Sequence, residues 1–325
     1  MKPRRRGILI WAHDFGPWWV KLASEAGLTT LGLHPIPGLP EHDPRSLEAL
    51  LERLQTESFR SDVRALKARG IELTVEAHAM NWLLPRYHFK TRSDWFRMNE
   101  KGERTNDLNL CPSSEDALKQ IELRTEELVN ALAGVSDSHR YHLWMDDNSE
   151  YCHCESCRSL SPSDQAMKVY NRMLIGVRRA DPSGTLSYLA YQKTIQPPSV
   201  ITPSEGIFLE YAPVDRDSRF SMDDPEIEKN VAETFYIPAL LACFGKDGSQ
   251  VLEYCMDISY FYRWKAPYGE LPFYRGVIRT DARYYRDLGF ESLTSFACGL
   301  NIGYEKRYGI PPVMEYGKIL LEEFI

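Results

Sequence analysis

Residues 142–157 read HLWMDDNSEYCHCESC. A short apolar strand, Tyr141–Met145, runs straight into two adjacent carboxylates, Asp146 and Asp147, and a helical stretch opens soon after, at Ser163. This is a strand–loop–helix unit with its polar chemistry at the C-terminal end of the strand, and the unit recurs along the chain. Runs rich in Ile, Val, Leu, Phe, Tyr and Thr also stand at Gly7–His13, Thr29–His34, Glu72–Ala79, Thr185–Tyr191, Ile207–Tyr211, Gln250–Met256 and Ser292–Ala297. Such runs suit strands buried on both faces. Amphipathic stretches lie between them at Pro17–Ala26, Ser46–Arg69, Ser114–Ala133, Ser163–Ala180, Pro225–Phe244, Tyr274–Leu288 and Pro311–Glu323. Several open on Ser or Asp and stop at Gly, as Gly27, Gly70, Gly134, Gly245 and Gly289 do. Eight strands, nearly all followed by a helix, predict an α/β fold, a single (β/α)8 TIM barrel spanning residues 1–325. The weakest place for a helix is Pro197–Pro203, after the fifth strand. A doubly wound sheet is the rival, but no Gly-rich phosphate loop follows the first strand; no organic cofactor is expected.

Composition narrows the function. The chain has 325 residues, is 43% hydrophobic and carries a net charge of −7. That balance argues against a nucleic-acid partner, whose phosphates demand a basic face. The one basic cluster, Lys2 to Arg6, reads as a solvated terminus. No apolar run approaches the ~18 residues of a membrane span, and Gly7–Trp11 is too short for a secretory core. Seven cysteines, an odd and clustered set, suit a reducing compartment, so a cytoplasmic protein without membrane contact is expected.

In a barrel, catalytic groups sit at the C-terminal ends of the strands. Those ends carry His13 and Asp14, His34, Glu76 and His78, Asp146 and Asp147, Tyr191 and Gln192, Glu210 and Tyr211, Glu253 and Asp257, then Thr294 and Asn301. Aromatic residues interleave with this polar rim: Trp11, Trp18, Trp19, Trp82, Trp144, Tyr254, Tyr260 and Trp264. Flat sugar faces stack on rings while hydroxyls bond to carboxylates, so the mixture suits a carbohydrate pocket. Asp146, Asp147 and Glu210 are the candidate catalytic carboxylates. Adjacent strand residues face opposite ways, however, so one of the aspartates serves instead as a cap or backbone acceptor unless the strand has already ended. Glu210 ends an apolar strand, where it is either used in catalysis or paired with Arg216 or Arg219. Asp14, Glu76, His78, Trp82, Arg86, Tyr211, Glu253 and Asp257 are the candidate substrate-binding residues. The bland alternatives are a helix cap for Asp14, an ion-pair network for Glu253 and Asp257, and a solvated loop position for Arg86.

Cys152, Cys154 and Cys157 lie within six residues, close enough to share one soft ion. Cys111, on the preceding loop, is the natural fourth ligand of a closed structural zinc site; His153 competes for the place. Free thiols in a reduced loop are the alternative.

The runs EAHAMNWLLPR, FRMNEKGERTNDLNLCPSS, WMDDNSEYCHCESC, FLEYAPVDR and LEYCMDIS together resemble the DUF4838 group. That group is similar to glycoside hydrolase family 163, which acts as an endo-β-N-acetylglucosaminidase. The resemblance covers roughly residues 70 to 310. It implies a glycoside hydrolase acting on a β-linked glycan that contains N-acetylhexosamine, with the substrate's own acetamido group as nucleophile. The cysteines also resemble the zinc site of family 42 β-galactosidase barrels. The sequence departs from acetamido-assisted hexosaminidases in having Asp-Asp where they have Asp-Glu. Two other readings stay open: a metal-dependent sugar isomerase or hydrolase using His13, Asp14, Glu76, His78, Asp147 and Glu210, and a non-catalytic carbohydrate-binding barrel.

Overall fold

Strand and helix alternate through the computed structural model, which describes residues 4–40, 42–135, 137–147 and 150–325. Lys2 of the basic cluster lies outside the described residues. The strands are β1 (Arg5–Trp11), β2 (Thr30–His34), β3 (Glu72–His78), β4 (Arg140–Trp144), β5 (Thr185–Ala190), β6 (Ile207–Tyr211), β7 (Gln250–Glu253) and β8 (Ser292–Phe296). They close in sequence order into a parallel barrel, β1 pairing with both β2 and β8. Closure brings three backbones together at Gly7, which stands opposite Thr30 on one side and Thr294 on the other. A Cβ there would lie 2.8 Å from the Thr30 carbonyl oxygen, so only glycine fits.

The helices are α1 (Pro17–Glu25), α2 (Leu47–Arg53), α3 (Glu57–Lys67), α4 (Met80–Leu83), α5 (Glu115–Ala131), α6 (Pro162–Ala180), α7 (Glu228–Thr234), α8 (Ile237–Phe244), α9 (Ile258–Phe261), α10 (Arg275–Leu288), α11 (Ile302–Tyr308) and α12 (Val313–Glu323). Ser46, Thr56, Ser114 and Ser161 cap α2, α3, α5 and α6 by accepting a backbone N–H three residues on. Two stretches expected as single helices are broken. Thr56 caps a second helix inside 46–69, and Pro238, lacking an N–H, opens α8 inside 225–244. Between β5 and β6 only the short 3-10 turn Gln192–Thr194 forms, in keeping with the weak helix signal there. Strand β1 stops at Trp11, and residues 12–14 form a 3-10 turn that takes His13 and Asp14 off the strand. No helix among the described residues is long and apolar enough to cross a membrane.

Strand alternation sends one set of side chains outward under the helices and the other into the barrel. The outward set is mainly apolar but includes Glu253. Glu253 is 3% exposed and accepts from Arg216 Nη1 at 2.5 Å and the Tyr285 hydroxyl at 2.5 Å, while Arg216 also pairs with Asp281 at 2.7 Å.

The inward set holds a polar layer at mid-barrel. Glu210, wholly buried, accepts from Trp144 Nε1 at 2.7 Å and Gln250 Nε2 at 2.8 Å, with His142 Nδ1 at 2.9 Å. Glu76 accepts from the Thr74 hydroxyl at 2.9 Å, but its second oxygen is buried without a hydrogen-bond partner. Burial pushes Glu76 up to about 7, with His142 pulling down and Glu210 pushing further up. Burial opposes charge on Glu210 too, but His142 and the converging donors outweigh it and hold its pKa low. Their environments separate two otherwise similar carboxyls.

Helices α5 and α6 pack closely through Gly176, where a Cβ would sit 2.2 Å from the Glu122 carbonyl oxygen. Gly176→Ala must push the helices apart and should lower the unfolding free energy by about 1–3 kcal/mol in urea denaturation. The interior layer carries a pH signature. A carboxyl raised on folding contributes stability that is complete below its unfolded pKa, about 4.3. That contribution is lost as pH rises through the folded value of about 7. Glu76→Gln should therefore lose less unfolding free energy than the parent between about pH 5 and about pH 8. Parallel stability curves for the two proteins would contradict a buried, titrating Glu76.

Candidate active site

The C-terminal mouth of the barrel holds a cavity of about 400 Å³, within the usual range for small-molecule sites, about 300–1,000 Å³. Trp11, His34, His78, Trp144 and Phe296 line it, and each is the last residue of its strand. Loop residues complete the wall: Asp147, Tyr191, Tyr254, Asp257, Trp264 and Tyr268 among them. Among the described residues, Asp147 and Asp257 are the carboxylates on this wall.

The adjacent aspartates diverge. Asp147 turns to the cavity, with its side chain 47% exposed; its Oδ1 accepts from the Tyr191 hydroxyl at 2.9 Å and lies 3.9 Å from His78 Nε2. Asp146 turns away. Its carboxylate accepts from Arg86 Nη2 at 2.6 Å and from the Asn109 backbone N–H, and its own N–H donates to Asn109 Oδ1 at 3.0 Å. Asp146 is thus the backbone-anchoring member of the pair, and Arg86 is spent on it rather than lining the cavity.

The histidine tautomers follow from their backbone partners. His78 Nδ1 lies 2.5 Å from the Met145 carbonyl and His34 Nδ1 lies 2.7 Å from the Glu76 carbonyl. A carbonyl only accepts, so each Nδ1 carries a proton and His78 presents Nε2 to Asp147. Burial, then the neighbouring His78, pushes His34 down to about 4, leaving it a neutral ring.

Asp257 has a different environment. It is 2% exposed and caps α9, its Oδ1 accepting from the Ser259 N–H at 2.8 Å, the Ser259 hydroxyl at 2.6 Å and the Tyr260 N–H at 3.2 Å. Burial pushes it up to about 7 against those bonds. With Oδ1 committed as an acceptor, the acidic proton belongs on Oδ2. The cavity therefore sets one exposed carboxylate against one buried carboxyl that holds its proton near neutrality. Rings surround both: Trp11 stacks on His34 at 5.7 Å, and Tyr254 on Phe296 at 5.0 Å.

A neighbouring depression of about 690 Å³ shares Asp147, Tyr191 and Trp264 with the cavity. On the other side, one of about 390 Å³ shares Trp11, Arg45 and Tyr268 and holds His13 and Asp14. Asp14, raised by burial, accepts there from Asn301 Nδ2 at 3.3 Å.

Several candidates lie elsewhere. Glu210 and Glu76 do not line the cavity. Staggered strands put Glu210 opposite Gln250, the first residue of β7, and Glu76 opposite His142, one layer below the mouth. Tyr211 and Glu253 face outward: Tyr211 is wholly buried against Tyr285 and Phe290, and Glu253 is bound by Arg216. Trp82 packs under the Arg124 guanidinium at 3.8 Å. The hard-ligand ring of the metal-dependent reading is consequently spread over three places, with only His78 and Asp147 of its six members on the cavity wall. Conversely, His34 and Tyr191 are site residues whose signal in the sequence is their place at a strand end. Arg45 and Tyr268 lie on loops and carry no such signal.

Outside the cavity, the four cysteines converge. Cys111, Cys152, Cys154 and Cys157 are all buried, with their sulfurs within 4.8 Å of one another. Cys111 Sγ lies 3.7 Å from Cys154 Sγ and 3.9 Å from Cys157 Sγ. His153, the competing fourth ligand, is outside this group.

No curated protein matches the chain by sequence. Among solved structures, it superposes on the exo-β-1,4-mannosidase Op5Man5 from Opitutaceae bacterium strain TAV5 with a TM-score of 0.51 at 14% identity. That match covers 99% of this chain but 60% of the mannosidase, so the chain spans less than two thirds of its length. A GH20 catalytic module of the pneumococcal exo-β-D-N-acetylglucosaminidase StrH gives 0.51 at 10% identity, over 99% of this chain and 86% of that one. A tri-modular GH5 endo-β-1,4-glucanase from Bacillus licheniformis gives 0.54 at 11% identity, over 100% and 60%. At such identities the likeness is one of fold. The family model "Domain of unknown function (DUF4838)" matches residues 51–237, more than half of the chain, and the protein belongs to that family.

Proposed function

We propose that this barrel is a glycoside hydrolase acting on a β-linked glycan, with Asp147 and Asp257 as its working carboxylates. One observation carries the reading: a half-exposed carboxylate and an enclosed carboxyl that burial pushes up share one ring-walled cavity. Glycoside hydrolysis needs that pairing, an acid for the leaving oxygen and an anion for the sugar side. Asp257 supplies the acid through Oδ2, and its proton passes to the glycosidic oxygen as the C1–O bond breaks. Asp147, oriented by the Tyr191 hydroxyl, faces the sugar as the anion. On an N-acetylhexosamine it accepts the acetamido N–H, so that the acetamido carbonyl oxygen attacks C1; water then reopens the ring intermediate. Support for the glycosidase class comes from the fold neighbours, whose names include a β-mannosidase, a β-N-acetylglucosaminidase, a β-glucanase and an α-amylase; the β-linkage rests on the motif resemblance alone.

A panel of aryl β-glycosides and β-linked oligosaccharides, read out by product release, tests the activity. Asp257→Asn should slow turnover by about 10²–10⁴-fold on substrates with poor leaving groups. On a dinitrophenyl glycoside, whose leaving group needs no acid, the loss should be much smaller. Asp147→Asn should slow both. The parent's kcat/KM should fall as pH rises through about 7, where Asp257 loses its proton. Near-normal turnover by both variants would remove this assignment. Glycan binding without hydrolysis across the panel would leave a carbohydrate-binding barrel instead.

A further inference from the structure

We propose that Cys111, Cys152, Cys154 and Cys157 hold one zinc-class ion as four thiolates, and that this ion fixes the position of Asp147. The distances match the chemistry. Zn–S bonds of about 2.3 Å in a tetrahedron set ligand sulfurs about 3.8 Å apart. The contacts from Cys111 to Cys154 and Cys157 measure 3.7 and 3.9 Å. All four residues are at most 7% exposed. Surrounding donors are aimed at sulfur: the Met98 N–H at 3.3 Å and Arg104 Nη1 at 3.9 Å from Cys152, and the Ser113 hydroxyl at 3.1 Å from Cys157. Donors placed this way stabilise thiolates and orient metal ligands. Four sulfurs fill a tetrahedron, so the ion has no open position for substrate.

Its leverage on the cavity comes from the two segments it joins. Cys111 ends the long connection after β3; the other three cysteines follow Asp147 on the connection between β4 and α6. The same segments meet at a polar clamp two residues before Cys111. There Asn109 takes the Asp146 N–H, and its Nδ2 donates to the Glu150 carbonyl at 2.8 Å. Arg97 adds an ion pair to Glu150 at 3.2 Å. Asp147 lies between the two residues that this clamp holds, Asp146 and Glu150, and the first ligand on its own loop, Cys152, follows just after. A half-exposed side chain bonded to Tyr191 depends on that anchorage for its place. Asp147 is the group in the reaction; the cysteines are positioning residues.

The test uses the full-length protein purified without chelators. Metal analysis should give about one zinc per chain, and cobalt substitution should give a thiolate–cobalt absorption. Removing the ion with a thiol-releasing reagent and a chelator, then restoring the thiols, should raise hydrogen exchange in peptides covering Phe96–Cys111, Trp144–Asp147 and Tyr151–Cys157. Exchange in β1 and β8 should stay unchanged, and zinc should reverse the effect. Cys154→Ser should give the same local signature; if that variant does not fold, the stripped parent decides. On a substrate found under the glycosidase reading, kcat should fall at least tenfold on stripping and recover with zinc. That arm rests on the reading, while the metal and exchange arms do not, so loss of one leaves the other standing. No bound metal would overturn the site, and metal removal without change at Trp144–Asp147 would overturn its positioning role.

Discussion

Three donors from two other strands converge on the Glu210 carboxylate inside the barrel. Two come from β4, His142 and Trp144, and one from β7, Gln250. A buried carboxylate is costly unless its oxygens are satisfied, so any displacement of β4, β6 or β7 exposes that cost. The arrangement therefore restrains strand register in the half of the barrel where β6 and β7 share only a short ladder, Glu210 to Gln250 and Tyr211 to Val251. It also sets the floor of the mouth. Trp144 donates downward to Glu210 while its ring lines the cavity above.

Above that floor, solvent access separates the roles of the carboxyl groups. Asp147 and Asp257 carry the same side chain in different surroundings. One stands half in water beside a phenol and an imidazole; the other is enclosed at the start of a one-turn helix. Burial favours the neutral acid, and that difference makes acid–base chemistry available near neutral pH. The same logic operates a layer below, where Glu76 is pushed up and Glu210 held down. The lower pair is sealed from the cavity and acts on stability and register.

The barrel was legible because it rests on local signals repeated eight times. Apolar strand runs such as Ile207–Tyr211 and capped helices such as Ser114 onward can be read from a short window. The Asp146–Asp147 split was half legible: alternation raised it, but β4 ends at Trp144, and the contacts with Arg86 and Asn109, not strand geometry, part the two. Tyr211 and Glu253 were misplaced because alternation turns them outward under the helices, and Glu210 because it stands a layer below the mouth. A rim position depends on where a strand stands relative to its neighbours, and the stagger between strands is a property of the closed sheet.

Local periodicity and capping in the sequence by themselves determined the alternation of strands and helices, the number of barrel strands, the acidic strand end and the proximity of three cysteines. Tertiary structure alone decided which carboxylates share a cavity, that Asp257 is enclosed and Asp147 open, and that Cys111 reaches the other three thiols. The physical reason is that the first group follows from backbone geometry over a few residues. The second depends on burial and on distances between residues far apart in the chain, which exist only once the barrel has closed.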